Sequence, residues 1–155
     1  MSDPRQLYVV ESAAAYAKRP RIIADASIVV ALLFDERNQA EALTRLSGRV
    51  IAAPHLLDLE FADAAQKKLR RERLDPQKVA QALQMFEEIV VERHAVPASA
   101  ALVIAQPYAL TPYDAAYLWL AERLDAPLVT FDARLAAAAQ QHLGDAAAGR
   151  SAPLR

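Results

Sequence analysis

Residues 110–135 read LTPYDAAYLWLAERLDAPLVTFDARL, and this stretch decides the fold class. Thr111 is a natural N-cap and Pro112 suits a first helical position, so a helix is expected over 112–124. Leu128 to Phe131 follows as a short apolar strand, and a final helix is expected over 133–142. Two acids punctuate the stretch: Asp114 opens the first helix, and Asp132 stands where the strand ends.

The same rhythm runs upstream. Ile22 to Asp25 reads as a buried strand, with Ser27 near the start of a helix whose apolar residues run to Phe34. A helix over 39–46 stops near Gly48, and Val50 to Ala53 forms a second strand closed by Pro54. Helices over 55–73 and 76–88 are separated by Asp75-Pro76, a cap followed by a first-turn proline. Ile89 to Glu92 reads as a third strand, and an alanine-rich helix over 97–106 begins at Pro97. Short strands alternating with helices imply right-handed crossovers, hence an α/β, three-layer α/β/α sandwich around a short, mainly parallel sheet. Residues 21–142 form the expected domain. Residues 1–20 read as an extension, with Leu7 to Val10 a short strand and Ser12 to Lys18 a short helix cut off by Pro20. Residues 143–155, rich in Ala, Gly, Ser and Pro, read as a frayed tail.

At 155 residues with 54% hydrophobic and 24% charged content, one domain with a proper core is expected. A net charge of -1 supplies no general attraction for nucleic acid, so any RNA contact must be local. The absence of Cys excludes disulfides and thiolate metal sites and suits a reducing cytoplasm. No apolar run is long enough for a bilayer, and the first residues lack a secretory signal. His55, His94 and His142 have no zinc-ligand spacing, and the 3 glycines form no phosphate-cradling loop.

What remains is carboxylate chemistry. Asp25, Glu60, Asp114 and Asp132 are the candidates. Asp25 and Asp132 stand where a strand ends and a helix begins, the edge at which open parallel sheets bind ligands. Acids gathered there repel one another unless a cation lies between them, so a divalent-metal site is the economical reading. Mg²⁺ and Mn²⁺ favour oxygen ligands and can activate water against a phosphodiester without a His, Cys or Ser nucleophile. Taken singly, Asp25, Asp114 and Asp132 each have a capping reading as well. Glu60, flanked by Leu56, Leu57, Leu59 and Phe61, requires a partner. Ser27 and Thr130 can hydrogen-bond the ligating carboxylates and orient them.

Three segments, IIADASIVVALLFDE, APHLLDLEFADAA and the opening stretch, in that order, resemble the PIN domain family of metal-dependent ribonucleases. The similarity covers about residues 21–142 and is greatest to VapC-type toxins of toxin–antitoxin pairs. It implies that Asp25, Glu60, Asp114 and Asp132 match the family's acidic quartet for Mg²⁺ or Mn²⁺. Asp25, Asp114 and Asp132 would hold the metal and Glu60 would act through a bound water. Asp63 stands where the family often has Asn. The resemblance further implies an RNA substrate, a homodimer with a groove and a small antitoxin partner, with DNA binding left to the antitoxin.

Lys67, Lys68, Arg70, Arg71 and Arg73 form a basic run after Glu60. They are candidates for RNA phosphate contacts, with a solvated helix end as the slightly favoured reading, since charge runs are usually surface faces. Tyr113, Tyr117 and Trp119 are candidates for base stacking, with core packing as the plainer reading. Two other functions compete with a nuclease. A non-catalytic PIN-fold binding or regulatory module would keep the fold without needing all four acids. A phospho-accepting receiver wants a second acid beside Asp25 and a Lys at a late strand end, and neither is present.

Overall fold

The computed structural model describes residues 12–34 and 36–150. Four strands, β1 (Arg21–Ala24), β2 (Val50–Pro54), β3 (Val91–His94) and β4 (Leu128–Val129), make one parallel sheet in the order β3-β2-β1-β4. Being parallel, the strands need crossover helices, and these cover the sheet. After the short α1 (Ala13–Ala17), α2 (Ala26–Leu33), α3 (Gln39–Leu46), α4 (Leu57–Arg70) and α5 (Pro76–Glu88) pack together. A second group comprises α6 (Ala98–Tyr108), α7 (Pro112–Leu124) and α8 (Ala133–Arg150). The result is the expected α/β sandwich with a short central sheet. No helix among the described residues is long and apolar enough to cross a membrane.

β1 is central, and Ile22, Ile23 and Ala24 are buried. Around them Leu57, Phe61, Ala82, Phe86, Tyr117 and Leu120 complete the main core cluster. Phe61 stacks on Phe86 with ring centroids 4.2 Å apart and on Phe34 at 5.6 Å. This trio fastens α4 to α5 and to the end of α2. A smaller cluster of Ile104, Leu110, Ala115, Leu118 and Leu135 binds α6, α7 and α8.

Local signals set several boundaries as expected. Asp75 caps α5 through Gln77 N at 2.9 Å, with Pro76 in the first turn, and Thr111 caps α7 through Asp114 N at 3.1 Å. Ser12 caps α1, while the strand expected over Leu7 to Val10 lies outside the described residues. Asp25 caps α2 through Ile28 N, the capping role open to it in the sequence, so the helix starts at Ala26. Other boundaries differ from the expectation. β3 begins at Val91 rather than Ile89: Ile89 still closes α5 through Met85 O, and pairing with β2 sets Ile51 opposite Val91. α8 continues to Arg150 where a helix over 133–142 and a frayed tail were expected. Alanine has the highest helix propensity, and the alanines of this segment favour the helix although Gly144 and Gly149 do not.

Phe61 is fully buried and touches two aromatic rings, so Phe61→Ala opens a cavity at the junction of α2, α4 and α5. Its expected cost is about 3–5 kcal/mol, read from urea denaturation. A loss below about 1 kcal/mol would show that the trio does not hold the helices.

Candidate acidic site at the carboxyl edge of the sheet

Asp25 follows β1 directly and is only 7% exposed. A carboxylate so buried needs donors, and three are supplied. Ser27 Oγ donates to Oδ1 at 2.6 Å, Thr130 Oγ1 donates to Oδ2 at 2.6 Å, and Ile28 N–H donates to Oδ1 at 3.3 Å. Each hydroxyl is itself held, since Ser27 Oγ accepts from Phe131 N and Thr130 Oγ1 from Asp132 N, both at 2.9 Å. Thr130 and Phe131 therefore leave the expected strand, and β4 ends at Val129. Its end is turned instead onto the Asp25 carboxylate.

The other acids sit at helix starts. Asp132 Oδ1 accepts from Arg134 N at 2.8 Å and Leu135 N at 3.0 Å, capping α8. Asp114, in the first turn of α7, accepts a hydrogen bond from Thr111 Oγ1 at 2.9 Å. Glu60 lies in the first turn of α4, a helix that starts at Leu57 where one over 55–73 was expected. Its partner is Tyr117 of α7, whose hydroxyl donates to Oε2 at 2.5 Å. Carboxylates at helix N-termini also gain from the helix dipole, so the capping reading of Asp25 and Asp132 holds.

The charges bear on one another. Burial pushes the Asp25 carboxyl above its usual range, against the pull of Ser27, Thr130 and Ile28, and Asp132 pushes it further. Burial likewise raises Glu60 against the Tyr117 hydrogen bond, and Asp25, Asp114 and Asp63 add to the rise. Asp25 and Glu60 are thus protonated more readily folded than unfolded, a condition a cation would relieve. Among the described residues, no three of His, Cys, Asp or Glu are gathered tightly enough to hold an ion as they stand. An all-oxygen set this open still suits Mg²⁺ or Mn²⁺, ions that keep several waters and bind through one or two carboxylates.

Beside the acids lies a groove of roughly 760 Å³ whose lining includes Leu56, Leu59, Glu60, Asp63, Tyr113 and Phe131, with Lys67 paired to Asp63 at its wall. Leu59 is 76% exposed and Tyr113 65%, so the groove is both apolar and acidic. Two members of the basic run are already paired. Lys68 is buried, bonded to Glu36 at 2.6 Å and Glu72 at 3.3 Å, and lies over the Phe34 ring. It fastens the segment after α2 to α4 and is withdrawn from the RNA-contact candidates. Lys67 pairs with Asp63 at 2.6 Å, which gives Asp63 a partner within its own helix. Arg70 and Arg71 remain exposed at the end of α4. Tyr117 and Thr111 were read as a core residue and a cap. A tyrosine among buried Ala and Leu positions was the available signal, since a buried phenol requires an acceptor.

Raised carboxyl values fix a sign. Stability is lost as pH rises from the unfolded value through the folded one, because ionisation is penalised in the fold. In chelator at neutral pH, Glu60→Gln is therefore expected to raise the melting temperature by roughly 2–4 °C. The gain should vanish in acid, where Glu60 is already protonated, and an unchanged or lowered neutral-pH melt would refute the crowding of these charges.

Comparison with known proteins agrees with this architecture. The PIN domain profile matches residues 22–141. Ribonuclease VapC9 of Mycobacterium tuberculosis is 33% identical over 114 residues, which are 74% of this chain and 87% of that protein. Ribonuclease VapC1 of the same organism is 34% identical over 120 residues, 75% of this chain and 89% of that protein. The crystal structure of PAE2754 from Pyrobaculum aerophilum superposes with a TM-score of 0.62 at 26% identity, covering 83% of this chain and 90% of that one. The chain belongs to the PIN domain family, and within it to the VapC type.

Proposed function

We propose that this chain is a metal-dependent endoribonuclease, the toxin of a toxin–antitoxin pair, cleaving RNA phosphodiesters by hydrolysis. The observation that carries the mechanism is the mutual charge coupling of acids from four separate segments. Asp25 and Asp114 both act on Glu60, and Asp132 acts on Asp25. Relatives named as VapC ribonucleases support the reaction class.

In this reading Asp25, Asp114 and Asp132 hold Mg²⁺ or Mn²⁺, and Glu60 acts through a water. When bound, such a cation polarises phosphoryl oxygens and lowers the pKa of water. The chain supplies orientation. Ser27 and Thr130 fix both oxygens of Asp25, Thr111 fixes Asp114, and the backbone at Arg134 and Leu135 fixes Asp132. Because those contacts are made within the fold, little rearrangement accompanies reaction. Exposed Arg70 and Arg71 are the proposed phosphate contacts. Residues 21–142 are the proposed nuclease domain, acting in the cytoplasm as a homodimer. The acidic, apolar groove is suited to a basic, amphipathic segment of a cognate antitoxin, which would block the site.

Asp25→Asn and Asp114→Asn should each cut metal-dependent cleavage of single-stranded RNA by more than about 100-fold, with folding retained by circular dichroism. Either variant cutting at the wild-type rate in Mg²⁺ or Mn²⁺ would refute the assignment. A folded wild type, freed of partner, that cleaves no RNA in either metal would favour the non-catalytic module. Millimolar Mg²⁺ or Mn²⁺ should also raise the wild-type melting temperature by mass action, and chelator should reverse it. Melting curves that ignore both ions would argue against a shared cation site.

A further inference from the structure

Tyr117 is 1% exposed, set in the main core with Ala24, Phe61, Leu120 and Ala121. Packing at that depth could be met by Phe. The hydroxyl is the part that packing does not require, and it is aimed at Glu60 Oε2. Tyrosine has two side-chain torsions, so a ring fixed by its neighbours delivers its hydroxyl to one point. Glu60 has the opposite problem. It is a flexible side chain near Asp25, Asp114 and Asp63, all of which repel it. Without an attractive contact, those charges would drive it toward solvent along the exposed side of α4. Among the described residues, Tyr117 is the donor bonded to its carboxylate.

We infer that Tyr117 is a positioning residue for the reaction: its buried hydroxyl anchors Glu60 Oε2 at the rim and leaves Oε1 to face the site. Burial, together with the charges of Glu60 and Asp25, holds the phenol well above its usual range, so it stays a donor. Tyr117 also couples α7, which carries Asp114, to α4, which carries Glu60. The spacing of two acids from different helices is thereby set by one contact. The inference rests on the ribonuclease reading for its kinetic consequence, but not for its effect on cation binding.

The test is a double-substitution cycle on the full chain: wild type, Tyr117→Phe, Glu60→Gln and the pair together. RNA cleavage and Mn²⁺ binding by calorimetry are read for each. Tyr117→Phe is expected to lower kcat and weaken Mn²⁺ binding by about 10–100-fold, with KM for RNA nearly unchanged. In the Glu60→Gln background it should cost nothing further, because the group it positions is already altered. Leu120→Ala, a core change in the same cluster, should lower the melting temperature while leaving Mn²⁺ affinity near wild type. All five proteins are compared at a temperature where circular dichroism shows each folded. Undiminished kcat and Mn²⁺ affinity in Tyr117→Phe would overturn the inference, as would losses that multiply with Glu60→Gln or are matched by Leu120→Ala. Wild-type protein that binds Mn²⁺ but cuts no RNA would sink the nuclease reading alone, and the Mn²⁺ cycle would still decide Tyr117.

Discussion

The structure depends on keeping one carboxylate, Asp25, out of water at the end of its central strand. A charge so buried is costly unless it is hydrogen-bonded. The fold meets this with two hydroxyls and a backbone N–H, and the hydroxyls bring further backbone groups with them. Phe131 N–H holds Ser27 and Asp132 N–H holds Thr130, so the end of β4 is tied to the start of α2. Those few bonds start α2, end β4 and place Asp132 at the head of α8. The site and the sheet edge are built by the same contacts.

That arrangement stores electrostatic strain. Acids on four segments bear on one another in pairs, and several nearby cations are already paired. Lys68 serves Glu36 and Glu72, Arg93 serves Asp58 at 2.8 Å, and Lys67 serves Asp63. Asp25, Glu60, Asp114 and Asp132 are left without an ion-pair partner in these contacts, and hard divalent ions favour such oxygen groups. It also means that phosphates are not drawn in by the rim itself. In a chain whose net charge is -1, any attraction for RNA falls to exposed basic side chains at its margin. The exposed Leu59 and Tyr113 leave a greasy surface beside this acidic rim, a combination that favours partners over solvent.

Hydroxyl groups act repeatedly as the intermediaries between acid and scaffold. Ser27 and Thr130 serve Asp25, Thr111 serves Asp114, and Tyr117 serves Glu60. A hydroxyl both donates and accepts, so it can satisfy a carboxylate while being held by a backbone N–H. That dual role suits it to a crowded negative site better than a lysine, which would neutralise the acids and exclude a metal.

The layered parallel architecture, the helices over 39–46, 76–88 and 112–124, and the identities of the acids were legible in the chain itself. Those features depend on local periodicity, capping and proline placement, which act between residues close in sequence. The start of β3 and the shortness of β4 were not, because each is set by a partner far along the chain: β2 for Val91, and Ser27 and Asp25 for the end of β4. Lys68 looked like a free surface cation because its partner Glu36 lies 32 positions away. Tyr117 looked like core because Glu60, 57 positions distant, is what makes its hydroxyl matter. Sequence alone determined which groups the chemistry has at hand. Tertiary structure decided which of them meet, since hydrogen bonding and charge repulsion act over a few ångströms of space irrespective of separation along the chain.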